Sequence, residues 1–173
     1  MGKIGISEQA SLLRDAVFAT DDGIITTFAV VAGSHGAGFS STVALILGLT
    51  NLFADGFSMA SGIFIGVKSE KEFEKARGIG HWRADSPTRH ALIAFGSFAG
   101  GGILPLIPYF FIEHPSFFLS LGIVAVSMFA IGVVKSIYTQ KHWLKSGLEV
   151  LFIGMIAALI AYLVGFVIDR YLV

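Results

Sequence analysis

Five apolar runs, each long enough to cross a lipid bilayer, take up most of this chain. They cover about 12–33, 42–67, 90–112, 117–134 and 148–168 of the 173 residues. A bilayer-spanning helix needs about 20 apolar residues, so little remains besides loops. The pattern predicts an all-α integral membrane protein of five transmembrane helices, built as a single transmembrane domain over 1–173 with no room for a second. Only helices and closed barrels satisfy their backbone polar groups in hydrocarbon. A barrel would show segments of alternating hydrophobicity about ten residues long, and none occurs here. Composition points the same way: 54% of residues are hydrophobic and 14% charged, against about 25% charged in an ordinary soluble domain. A soluble enzyme, a disordered chain and a nucleic-acid binder are thereby excluded. The chain has no cysteine, which removes disulfides, thiolate metal sites and a cysteine nucleophile. Its first 11 residues carry no signal-peptide pattern.

The formal net charge is zero, with 12 basic and 12 acidic residues, so only the placement of charge is informative. Lys3 and Arg14 precede or open the first run. Lys68, Lys71, Lys75, Arg77, Arg83 and Arg89 lie in or beside the long loop 68–89, and Lys135, Lys141 and Lys145 lie between the fourth and fifth runs. These 11 fall on one side of the membrane, and only Arg170 falls on the other. The positive-inside rule then sets the N-terminus and loop 68–89 in the cytosol and the C-terminus outside. The host would be the cytoplasmic membrane of a prokaryote or a vacuolar-type membrane of a eukaryote.

Polar residues inside the runs are the candidates for function. An Asp at a helix centre costs about 2.5–3.5 kcal/mol on the insertion scale, and such residues mark ion or proton pathways. Asp15, Asp21 and Asp22 interrupt the first run, and Asn51 and Asp55 the second. Asn51, Asp55 and Met59 are four residues apart and share one stripe of a helix. If the first helix leaves the cytosol near Leu12, Asp22 lies roughly 15 Å in, and Met59 on the returning helix roughly 12 Å. By this estimate Asp55 lies one turn further out and Asn51 another. No Lys or Arg occurs between Arg14 and Lys68 to neutralise the acids. Two carboxylates, an amide oxygen and a thioether along one path predict a transient divalent-cation site at Asp22, Asp55, Asn51 and Met59. Hard oxygens with a thioether suit Fe²⁺ and Mn²⁺ better than Mg²⁺ or Ca²⁺. The alternative roles are core filling for Met59 and an interhelical hydrogen bond for Asn51.

The segments DDGIITTFAVVAG (Asp21 to Gly33) and LGLTNLFADGFSMASGIFIGVKSEKEFE (Leu47 to Glu74) resemble the vacuolar iron transporter family. GGILPLIPYF (Gly101 to Phe110) and KSGLEVLFIGMIAALIAYLVG (Lys145 to Gly165) are similar to its Pro-containing third helix and its closing helix. The resemblance implies a five-helix homodimer that moves Fe²⁺ or Mn²⁺ out of the cytosol in exchange for protons. It places the family's helix-one aspartate on Asp22 and its helix-two methionine on Met59. Plant-type members carry a glutamate where Asn51 stands, and Asp55 is the nearby acid able to take part of its role. Iron-storing members insert a Glu-rich cytosolic domain where this chain has only residues 68–89, so it resembles the short type. The small residues Ala16, Thr20, Gly23 and Thr27 allow close helix approach, and the resemblance implies that two copies meet there.

In the remaining loop, Glu70 and Glu74 share a face of a cytosolic extension of the second helix. They form either a solvated face with Glu–Lys and Glu–Arg pairs or, with Asp15, a metal-collecting entrance. The five histidines, His35, His81, His90, His114 and His142, show no metal-ligand spacing and are expected in loops or at interfaces. The function predicted is a divalent metal exporter with metal ions, protons, lipid and a second copy as its partners. No cofactor, no enzymatic activity and no nucleic acid are expected. The competing classes are a non-transporting membrane subunit and an intramembrane aspartyl protease on Asp22 and Asp55. The Gly-x-Gly-Asp sequence that such a protease requires is absent.

Overall fold

The computed structural model describes residues 6–78, 86–112 and 117–171. Regular structure among them is entirely helical: α1 (Ile6–Gly36), α2 (Ser41–Ala76), α3 (Pro87–Gly102), a short 3-10 turn (Leu104–Leu106), α4 (Ile107–Phe111), α5 (Phe117–Thr139) and α6 (Trp143–Tyr171). Five segments are long and apolar enough to cross a membrane: Glu8–Gly36, Ser41–Ala76, Pro87–Phe111, Phe117–Thr139 and Trp143–Tyr171. The chain is a multi-pass membrane protein with the five spans read from the sequence.

Most of the helices outrun their apolar runs. A 36-residue α2 is about 54 Å long, against about 30 Å of hydrocarbon, so Lys68–Ala76 continues past the bilayer as the expected extension. The basic linker expected over 135–147 shrinks to Gln140–His142. Lysine is a good helix former, so Lys135 and Lys145 sit in the ends of α5 and α6 rather than in a loop. An apolar run measures bilayer thickness, not helix length.

Helix ends have local causes. Gly38 has φ +67, the left-handed conformation glycine adopts without strain. Around it the Phe39 N–H donates to the Ser34 carbonyl at 2.9 Å, closing α1 in a Schellman motif. Ser40 and Ser86 cap α2 and α3, with Pro87 at the first position of α3, where its missing N–H does no harm. The third span, expected as one helix over 90–112, is broken at Gly102. Pro105 and Pro108 each remove an N–H from the ladder, and the Ser120 hydroxyl of α5 donates to the Pro105 carbonyl at 2.7 Å. A neighbouring helix thus satisfies the backbone freed at the break.

Helix α1 is central and packs against every other span. Its closest neighbour is α3, and glycines make the approach possible. A Cβ on Gly101 would lie 2.5 Å from the Thr20 carbonyl oxygen, and one on Gly102 would lie 2.8 Å from Thr27 Oγ1 and 2.9 Å from the Gly23 carbonyl oxygen. Gly23 itself lies under the Phe98 backbone. Of Ala16, Thr20, Gly23 and Thr27, expected on a face between two copies, Gly23 and Thr27 are instead buried within one chain against α3. Small residues permit close approach without specifying the partner. Two apolar clusters flank α1: Ile24, Phe28, Val31, Leu106, Val124 and Met128 on the α5–α6 side, and Ala19, Leu52, Ala94 and Phe98 on the α2–α3 side.

Candidate metal site

The glycine contacts fix the register of α1, α2 and α3 around the acids. Gly102 touches Gly23 and Thr27 of α1 on one side and Leu52 of α2 on the other. Gly56 of α2 packs on Phe95 and Phe98 of α3. Gly23 is therefore level with the turn 52–56 of α2, which sets the preceding residues Asp22 and Asp55 at the same depth. Both are half-buried. The register differs by about one turn from the estimate based on apolar runs, which set Asp22 level with Met59. That estimate assumed a helix start at Leu12, and it ignored the crossing imposed by the glycines.

The other two predicted ligands flank the pair. Asn51 is half-buried, and its Nδ2 is inaccessible and without a hydrogen-bond partner. Met59 is half-buried and packs against the cluster of Ala19, Leu52, Ala94 and Phe98, so it fills space there besides lying one turn from Asp55. Asp22, Asp55 and Asn51 line neighbouring surfaces of α1 and α2. Among the described residues no three His, Asp or Glu side chains gather closely enough to hold a metal ion. One chain thus supplies two carboxylates and two neutral donor groups in an open arrangement.

The expected entrance residues divide. Glu70 and Glu74 lie on the projecting end of α2, exposed and half-buried respectively, beside the Lys68–Glu72 pair at 3.9 Å and Arg77, whose guanidinium lies over the Phe73 ring. Asp15 is far from solvent, 5% exposed. His90 Nδ1 lies 2.5 Å from its Oδ2, and Arg14 donates to Oδ1 at 2.8 Å. A metal ion at Asp15 would have to displace both partners. Glu8, one heptad earlier on the same face of α1, is equally buried and accepts from Arg89 at 2.8 Å. These contacts tie the start of α1 to the start of α3. They also show that His90, expected in a loop or at an interface, stands in the first turn of α3 and is 1% exposed. The seven-residue spacing of Glu8 and Asp15, two turns of a helix, was the available sequence signal, but the partner helix was not. His35 is exposed and stacks on Phe117, His142 is exposed, and His81 and His114 lie outside the described residues.

Comparison with known proteins agrees with this architecture. The model of the VIT family matches residues 13–80 and 78–166. Vacuolar iron transporter homolog 2 of Oryza sativa subsp. japonica is 27% identical over 170 residues, covering 90% of each chain. The vacuolar iron transporter of Plasmodium falciparum is 25% identical over 225 residues, covering 91% of this chain and 82% of that protein. That of Toxoplasma gondii is 44% identical over 64 residues, 37% of this chain and 21% of that protein. With the family model matching most of its length, the chain belongs to the VIT family, a family of membrane transporters, and is not an enzyme.

Proposed function

We propose that this protein exports divalent transition metal ions, Fe²⁺ or Mn²⁺, from the cytosol in exchange for protons. The observation that carries the reading is that Asp22 and Asp55 stand at one level on the packed membrane helices α1 and α2, with no basic residue between Arg14 and Lys68. Two like charges side by side in a membrane are mutually unfavourable unless a cation joins them. A divalent ion needs no more than two carboxylates for neutrality, and Asn51 and Met59 offer further donors nearby. The relatives named vacuolar iron transporters support iron as cargo. Carboxylates must be deprotonated to bind metal, so protons arriving from the far side displace the ion and return along the same groups.

The half-buried state of Asp22 and Asp55 in a single chain supports a homodimer. Left against lipid, such groups are expensive. A second copy placed on this surface by a two-fold axis would enclose the ion and double the donors. The excess of Lys and Arg on one side supports a cytosolic N-terminus and export towards the other side.

The test is metal uptake by the purified protein in lipid vesicles, with Fe²⁺, Mn²⁺, Zn²⁺ and Co²⁺ compared with and without a pH gradient. Asp22→Asn removes the charge and keeps the shape, so uptake should be lost while the protein still inserts. Met59→Ala should reduce uptake by less. Normal flux through the Asp22→Asn protein refutes the site.

A further inference from the structure

A crevice of about 490 Å³ opens between the N-terminal half of α1, the end of α5 and α6. Its walls are largely apolar, with Leu13, Val17, Ile131 and Val150 among them, but Asp21 and Lys135 also line it. Asp21 Oδ1 is inaccessible and has no hydrogen-bond partner. Lys135 Nζ is engaged elsewhere, 3.7 Å from Glu149 Oε2 on α6, in a pair that remains partly exposed at 32% and 54%. Arg14, at the rim, is committed to Asp15. A carboxylate with one orphaned oxygen therefore lines the same crevice as a lysine whose ammonium is loosely held by Glu149.

The energetics of the two positions differ. Partly exposed pairs contribute little, so leaving Glu149 is easy. A buried carboxylate oxygen without a donor is costly, and an ammonium paired with that carboxylate lowers the cost. Lysine has the flexible four-carbon stem that such a move needs. Resting on the transport reading above, we propose that Lys135 is a mobile counter-ion that passes between Glu149 and Asp21, and that its arrival at Asp21 weakens metal binding at the adjoining Asp22. An ammonium beside Asp21 sets a positive charge next to the metal position in a low-dielectric setting, where like charges repel strongly. A metal ion at Asp22 repels the ammonium in turn, back to Glu149. The coupling is reciprocal, and Lys135 acts as a positioning residue that favours release of the ion.

The experiment uses the full chain in lipid vesicles and two readouts: Mn²⁺ uptake, and labelling of Ile131→Cys in the crevice by a small water-soluble thiol reagent. The chain has no other cysteine. Glu149→Gln frees Lys135 for Asp21, so the apparent KM should rise about fivefold or more, the lower end of typical coupling between sites, with little change in maximal rate. Adding Lys135→Gln should abolish that rise, whereas adding Lys135→Arg should keep it. Labelling of Ile131→Cys should fall with Glu149→Gln and recover in the Glu149→Gln, Lys135→Gln protein. Equal KM values for Glu149→Gln with and without Lys135, together with unchanged labelling, overturn the proposal. A wild-type protein that moves no divalent metal refutes the transport reading and the metal coupling with it. The labelling pattern then supports or overturns the movement of Lys135 by itself.

Discussion

Gly102→Ala tests whether the three-helix junction holds the acid pair in place. The added methyl group would lie 2.8 Å from Thr27 Oγ1 and 2.9 Å from the Gly23 carbonyl oxygen, and would also meet the Leu52 side chain. Ordinary contact distances are about 3.5–4.0 Å. The Leu52 methyl can turn aside, but the Gly23 carbonyl is backbone, so α3 must move away from α1. Overpacking of this kind costs about 1–3 kcal/mol. In a chain of this size each kcal/mol shifts Tm by about 2–4 °C, so a fall of about 2–12 °C is expected. Metal uptake should fall as well, because Asp22 adjoins Gly23 and Asp55 lies on the α2 turn that starts at Leu52. Gly96 and Gly100 on the same helix have nothing within 4 Å of an added Cβ. Alanine there gains up to about 1 kcal/mol of helix propensity, so Gly96→Ala and Gly100→Ala should match or exceed the wild-type Tm. The assay is thermal unfolding of the purified protein in detergent, followed by uptake in vesicles. A Gly102→Ala protein as stable and as active as Gly100→Ala would show that the helix crossing drawn here is wrong.

Breaking the buried Asp15–His90 pair by Asp15→Ala should destabilise the chain by about 3–5 kcal/mol, read as a large drop in Tm, while Lys68→Ala on the exposed extension of α2 should leave Tm nearly unchanged. If two copies cover the acid pair, cysteine at Ser58, an exposed position on α2 one turn from Asp55, should form an intermolecular disulfide under oxidation, whereas cysteine at the buried Thr27 should not. A chain that stays monomeric in both cases and still transports removes the shared path. Metal uptake should weaken as pH falls, since protons and metal compete for carboxylates that bind metal only when deprotonated, and Asp55→Asn should flatten that dependence. Uptake equal across pH 5 to 8, with no response from a pH dye inside the vesicles, points to a uniporter instead of an exchanger.

The number and approximate places of the spans follow from the sequence alone, because hydrocarbon requires a long apolar run and an internally bonded backbone. The same reasoning singled out Asp22, Asp55 and Asn51, since a polar group in such a run stands out against its neighbours. Tertiary structure decided what periodicity cannot express, namely which helix faces which and in what register. The small residues of α1 read as a face towards a second copy, and the glycines Gly101 and Gly102 turned Thr20, Gly23 and Thr27 towards α3. Asp15 read as an entrance acid until the start of α3 brought His90 to it. Asp21 was an interruption in an apolar run until the crevice set it facing Lys135, 114 residues away in the chain. A polar residue declares its depth in the membrane through its place in the run only to within about one turn, as Asp22 and Met59 show. Its partner is fixed only when two helices cross, and that depends on side-chain volumes far apart in the sequence.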